Sequence, residues 1–278
     1  MTLISLRRKA KRFVSKAILR MREDRVWARI RQQYGRLSVA EAFIQTYDKK
    51  LWGNIQGEEY FSGSGSLEEF VAPYIGWLTR FIAERKINTV VDLGCGDFRV
   101  GQRICSAVSV NYVGVDIVPD LIAYNQLRFE NERVSFIYAN IIEDDLPNGD
   151  LCLIRQVFQH LSNKQISRVL ANCAKFPCLL VTEDVYNGPF LRPNRDIMHG
   201  PDNRLRKRSG VFLDRAPFSM QTQNVLELPA PQTDLFRHMI RTSLIEGDPN
   251  WPDGSNTKPA LLRMKSGLSA RLANADPT

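Results

Sequence analysis

A chain of 278 residues that is 44% hydrophobic can bury one sizeable core and still carry appendages. Its five cysteines (Cys95, Cys105, Cys152, Cys173, Cys178) are odd in number, sit in apolar runs and lack paired C-x-x-C spacing, which indicates neither a disulfide framework nor a zinc site and suits a reducing compartment. The net charge of +8 is local: twelve basic and two acidic side chains fall within residues 1–36, and the rest of the chain is slightly acidic.

Leu3, Leu6, Ala10, Phe13, Val14, Ala17 and Met21 recur at helical spacing between lysines and arginines, which predicts a basic amphipathic helical arm over residues 1–50. Its apolar stripe suits packing on the domain or a partner subunit, an anionic membrane surface contacted by residues 1–36, or, less well, nucleic acid. No apolar run approaches the roughly 18 to 20 residues that cross a bilayer, and no apolar signal segment opens the chain, so a cytoplasmic protein is expected, with peripheral contact at the inner face of the membrane left open. A helical stretch around Ser38–Lys50 then leads through Trp52-Gly53 to Tyr60-Phe61-Ser62-Gly63-Ser64-Gly65-Ser66, a segment too rich in Gly and Ser for a regular element. Ser66 and Glu69 read as a capping box for the periodic run Phe70, Tyr74, Trp77, Leu78, Phe81, Ile82, a helix ending near Arg85.

From there strands and helices alternate. Strands are predicted at Thr89–Leu93, Tyr112–Val115, Val134–Tyr138, Leu151–Ile154 and Cys178–Thr182, and helices from about Phe98, over Pro119–Phe129, and over Asn163–Cys173 with Ser162 and Gln165 as a capping box. Such alternation implies an α/β protein with a parallel sheet wound on both faces, binding ligands beyond the carboxyl ends of its strands. Residues 183–221 break the rhythm and read as a lid. Two β-rich runs, Asn224–Leu228 and His238–Ile245, can form an antiparallel hairpin at the sheet edge. The expected domain occupies residues 51–247, with a mobile tail over 248–278.

Val90-Val91-Asp92-Leu93-Gly94-Cys95-Gly96-Asp97 is an apolar strand running into a turn with two glycines, where backbone can approach a ligand closely. A dinucleotide fingerprint needs a third glycine three residues on, but Arg99 stands there, and Asp92 suits a cationic amino-acid end better than a pyrophosphate. Asp116, 24 residues after Asp92, ends the second strand, where a carboxylate can accept hydrogen bonds from two ribose hydroxyls.

V-D-L-G-C-G-D resembles motif I of class I S-adenosylmethionine-dependent methyltransferases, and G-V-D-I-V-P their acidic second motif. The resemblance implies a Rossmann-like, doubly wound, mostly parallel seven-stranded sheet with an antiparallel edge strand. It also implies S-adenosyl-L-methionine held by Asp92, Gly94, Cys95, Gly96, Asp116, Ile117, Asn140, Ile141 and Arg155, with Asn140 where the family usually has an Asp. More narrowly, Y-F-S-G-S-G-S, D-L-C-L-I-R-Q-V-F-Q-H-L-S and N-R-D-I-M-H-G-P-D-N-R-L are similar to a bacterial subgroup with relatives near sugar and glycan biosynthesis, over about residues 58–245.

Arg155, Gln156, Gln159 and His160 follow the fourth strand, and Glu183 and Asp184 the fifth, all at the ligand edge. His160 is a candidate general base because an unperturbed imidazole titrates near neutrality, and Glu183 or Asp184 could serve likewise. Tyr60, Ser64, Gln159, Asn194, Asp196, His199 and Arg204 are candidate acceptor-binding residues; no metal is called for, since Asp196, His199 and Asp202 have no fixed ligand spacing. The favoured reading is O-methylation of a small or glycan-linked acceptor. An RNA methyltransferase using the basic arm and a non-catalytic nucleotide-binding scaffold are the alternatives.

Overall fold

The computed structural model describes residues 21–229 and 237–247. The apolar stripe from Leu3 to Ala17 and the tail from Asp248 lie outside the described residues; Met21 is exposed. Helix α1 runs over residues 21–34 and α2 over Val39–Asp48, the latter opened by a Ser38–Glu41 capping box. Helix α3 (Glu68–Arg85) follows, capped differently from expectation: Leu67 is its N-cap, while Ser66 closes a short 3₁₀ turn and donates its hydroxyl to the Gly63 carbonyl (2.7 Å). The Ser66–Glu69 capping box does not form because Ser66 is already spent shaping the glycine-rich loop.

The body is a seven-stranded sheet in the order β3-β2-β1-β4-β5-β7-β6, with β1 Thr89–Leu93, β2 Asn111–Asp116, β3 Val134–Tyr138, β4 Leu151–Arg155, β5 Cys178–Tyr186, β6 Gln223–Pro229 and β7 His238–Glu246. Strands β1 to β5 pair in parallel; β7 lies antiparallel to both β5 and β6, the hairpin expected at the edge. Helices α4 (Arg99–Ala107), α5 (Pro119–Phe129) and α6 (Asn163–Asn172) make the crossovers, and α6 carries the expected Ser162–Gln165 capping box. Successive residues of the central strands serve opposite faces. Val90, Leu151 and Leu153 pack toward Tyr74, Leu78 and Ile82 of α3, while Val91, Cys152 and Ile154 pack toward Ile166, Val169 and Leu170 of α6.

Strand β5 outruns its predicted end by four residues. Beyond Arg155↔Thr182 it has no β4 partner, but β7 continues alongside, through Glu183↔Arg241 and Asp184↔Ile240 to Tyr186↔His238. An antiparallel neighbour therefore carries two acidic residues in strand geometry past the point where the apolar pattern stops. The order in which successive strands are added reverses between the parallel neighbours β1 and β4, and such a switch point opens a crevice at the carboxyl ends of these strands.

Candidate active site

A cavity of roughly 380 Å³ fills that crevice, a size in the range of small-molecule sites. Its floor is the turn after β1. Gly94 (φ 79°) and Gly96 (φ 57°) both adopt left-handed backbone, and neither has room for a Cβ: at Gly94 it would lie 2.4 Å from Val157 Cγ2, at Gly96 2.3 Å from Ser62 Oγ. The Gly94 and Cys95 amides donate to the Val115 carbonyl, and the Gly96 amide to Asp116 Oδ2 (3.0 Å). Asp116 Oδ1 accepts from the Val118 amide (3.2 Å), so the carboxylate braces two backbone segments while lining the cavity.

Asp92 is buried beneath this turn, one oxygen accepting the Tyr112 hydroxyl at 2.5 Å. Burial pushes its carboxyl up to about 6, and among the described residues no basic side chain forms an ion pair with it. Ile117, Asn140 and Ile141 line the same cavity. Asn140 Oδ1 caps the following turn through the Ile142 amide (3.1 Å). Arg155 also lines it, its guanidinium donating to the Gly65 carbonyl (2.7 Å) over the Tyr74 ring.

The Gly/Ser segment is a shaped wall. Ser62 and Asp97 exchange hydrogen bonds, Ser62 N to Asp97 Oδ2 (3.1 Å) and Asp97 N to Ser62 Oγ (2.8 Å), and Tyr47 reaches Ser62 Oγ at 2.9 Å. Ser64 lines the cavity; Tyr60 does not, packing instead on Tyr47 and Tyr124. Overhead, Trp27 of α1, Phe43 of α2 and Trp52 form an aromatic roof, with the Trp52 indole donating to the Pro201 carbonyl (3.1 Å). Part of the segment read as an appended arm thus belongs to the cavity wall.

The turn after β4 (3₁₀, Phe158–His160) places Gln159 and His160 at the cavity. The His160 Nδ1 faces the Asp202 carbonyl at 3.1 Å, which can only accept, so Nδ1 carries the proton and Nε2 the lone pair, 3.3 Å from Gln159 Nε2. Burial lowers the imidazole to about 4, contrary to the near-neutral base expected from sequence: the ring is neutral and a weak proton acceptor. Trp52 lies 5.0 Å from it, centroid to centroid. Asp184 lines the cavity as well, near His238 (3.4 Å) and the Gln156 amide (3.3 Å).

Other sequence candidates turn away from the cavity. Glu183 accepts the amides of Val157 (3.1 Å), Phe158 (2.8 Å) and Gln159 (3.0 Å), and burial pushes its carboxyl up to about 8. Arg204, 1% exposed, donates to the carbonyls of Phe158 and Leu161. Asn194 stitches the long loop to the carbonyls of Phe212, Arg215 and Ala216, and Asp196 accepts the Asn163 amide at the start of α6. His199 spans Gln165 and the Leu37 carbonyl. Residues 183–221 are therefore a pinned excursion, not a free lid, and Asp196, His199 and Asp202 are taken up by separate partners instead of converging. Sequence reasoning missed Trp27, Phe43, Trp52, Ser62 and Arg206 as cavity residues; an aromatic ring or a glycine neighbour hinted at the first four, and nothing local marked Arg206.

Residues 90–176 match the model of a methyltransferase domain. Among solved structures, the chain resembles the N-methyltransferase NodS from Bradyrhizobium japonicum WM9, crystallised with S-adenosyl-L-homocysteine (10% identity, 73% of this chain and 99% of that one, TM-score 0.52). It also matches the mitomycin 7-O-methyltransferase MmcR (15%, 63% and 54%, TM-score 0.41) and a Galdieria sulphuraria protein described as a sarcosine dimethylglycine methyltransferase (18%, 41% and 48%, TM-score 0.36), and spans about half the length of these two. No curated protein matches the sequence. Among the described residues no helix is long and apolar enough to cross a membrane.

Proposed function

We propose that this chain, an S-adenosylmethionine-dependent methyltransferase of the class I fold, methylates an oxygen of a small or glycan-linked acceptor held under the aromatic roof. The observation that carries the cofactor assignment is Asp92: a buried carboxylate facing the cavity, raised to about 6 and without an ion-pair partner among the described residues, offers its charge to a cationic ligand. Residues 94–96 and Asp116 would hold the rest of the cofactor, with Ile117, Asn140 and Ile141 around its base. When bound, S-adenosylmethionine supplies an electrophilic sulfonium methyl group.

The residues of the chain do the positioning. Trp27, Phe43 and Trp52 exclude water and favour a small acceptor over a nucleic-acid strand. The Asp184 carboxylate, which lines the same cavity, takes the acceptor hydroxyl's proton, while the neutral His160, its Nε2 lone pair facing the Gln159 amide, holds Gln159 at the cavity wall. We assign Glu183 to holding the turn that presents Gln159 and His160, not to proton transfer. Titration calorimetry with S-adenosylmethionine and, separately, NADH tests the cofactor reading: binding of the first alone supports it, and binding of NADH alone overturns it. Transfer of labelled methyl to hydroxyl-bearing compounds but not to their amine counterparts tests the oxygen assignment, and the reverse preference overturns that part.

A further inference from the structure

A second hollow, of roughly 310 Å³, opens on the face of the long excursion and is lined by Arg192, Arg195, Arg206, Lys207 and Arg208 with Phe190. The backbone forces these cations together. The Arg192 amide donates to the Arg208 carbonyl (2.9 Å), the Asn194 amide to the Gly210 carbonyl (3.1 Å) and the Arg195 amide to Ser209 Oγ (2.9 Å), which lays residues 192–195 beside 208–210. Among the described residues Arg192, Arg195 and Arg208 form no ion pair with a carboxylate. Lys207 spends its ammonium on the Asp196 carbonyl, and the Asp196 carboxylate is occupied by the Asn163 and Ile197 amides.

Crowding of this kind has a cost, since like charges held near one another repel unless an anion joins them. The effect registers on Lys207, whose pKa is lowered by burial and then by Arg31, Arg195 and Arg204. Phe190 is 76% exposed with Arg208 stacked 5.6 Å over its ring, an aromatic edge turned to solvent beside the cations. Arg206 lines both this hollow and the main cavity, and Trp27 of the roof lies against its guanidinium. The two spaces are therefore neighbours across a single side chain.

We propose that the basic hollow is a phosphate-binding subsite, so that the acceptor is a phosphorylated compound whose phosphate or diphosphate sits among Arg192, Arg195 and Arg208 while its hydroxyl end enters the main cavity past Arg206. Guanidinium forks match phosphate oxygens two at a time, and several arginines converging on one concavity suit a dianion or a diphosphate better than a lone carboxylate. The inference deepens the acceptor assignment and takes its meaning from it.

The test uses the full chain and inorganic pyrophosphate, followed by calorimetry, comparing the wild type with an Arg192→Gln/Arg195→Gln variant. The wild type should bind, and the variant should bind about tenfold or more weakly with an unchanged S-adenosylmethionine titration and a melting temperature no lower than the wild type's. No binding by the wild type, or equal binding by both proteins, overturns the subsite and places any anion affinity on the basic arm. Phosphatidylcholine vesicles with and without phosphatidic acid form a second arm. Displacement of pyrophosphate only by the phosphatidic acid vesicles assigns a lipid phosphate, and no displacement a soluble one; either supports the site. Pyrophosphate binding without S-adenosylmethionine binding would keep the hollow and remove the methyltransferase reading, and the converse would do the opposite.

Discussion

Glu183 and Arg204 grip opposite polar ends of one short turn: the carboxylate takes the amides of Val157, Phe158 and Gln159, and the guanidinium takes the carbonyls of Phe158 and Leu161. Neither side chain lines the cavity, yet together they set where Gln159 and His160 stand.

Removing either grip should therefore cost stability first. Arg204→Met leaves the buried Phe158 and Leu161 carbonyls unpaired, a loss of about 1–3 kcal/mol for each group. Glu183→Gln loses an acceptor for one of the three amides, about 1–3 kcal/mol. Urea unfolding measures both, and the double variant should lose less than the two singles combined. Full additivity would mean that the residues act independently.

His160 makes a stability prediction with a definite pH window. Burial lowers its imidazole to about 4, whereas in an unfolded chain it titrates near 6.5, so between these values the unfolded chain holds the extra proton. The contribution of the neutral ring is complete above about pH 6.5 and lost as pH falls to about 4, with a full size of about 3 kcal/mol. His160→Asn should flatten that part of the stability profile, measured by thermal unfolding across the window; an unaltered slope would place the acid sensitivity elsewhere.

Asp92 predicts how cofactor binding follows pH. A cationic ligand binds the ionised carboxylate, and with the free site at about 6, affinity for S-adenosylmethionine should decline below that pH by up to about tenfold per unit. Asp92→Asn should bind weakly at every pH with the decline removed. A decline that persists in the variant assigns the titration to another group.

The glycine turn can be probed against an internal control. Gly94→Ala meets Val157 Cγ2 and a φ of 79°, while Gly57→Ala meets a φ of 88° with nothing within 4 Å. Gly57→Ala should cost only backbone strain, about 1 kcal/mol, and leave cofactor affinity alone. Gly94→Ala should cost more and weaken cofactor binding about tenfold or more, because the floor of the cavity must shift. Calorimetry and thermal unfolding on both variants separate the two effects.

The strands and the floor of the site were legible because their signals are local: Val90 to Gly96 and Tyr112 to Asp116 are apolar runs that end in a carboxylate or a glycine turn. The roof was not, since Trp27, Phe43 and Trp52 reach the cavity from far along the chain, and nothing in a neighbouring residue marks that journey. Glu183, Asn194, His199 and Arg204 illustrate the opposite failure. A polar side chain near the ligand edge reads the same whether it faces a ligand or satisfies buried backbone, and here the backbone claimed all four.

The fastenings of the roof and the floor differ in kind. Gly94 and Cys95 are held by backbone hydrogen bonds to the Val115 carbonyl, but α1 is tied over the cavity by ion pairs, Arg31 with Asp202 and Arg206 with Glu23 (3.4 Å) and Asp24 (3.2 Å), the latter two acidic partners on α1 being partly exposed. Dissolved salt weakens the Arg206 pairs, whose carboxylates are partly exposed, more than the Arg31–Asp202 pair, whose carboxylate is buried, and leaves backbone hydrogen bonds nearly untouched. The fastening of α1, which carries Trp27 of the roof, is therefore the part of the site that responds to ionic strength, so roof and cofactor floor can respond separately to the same solution.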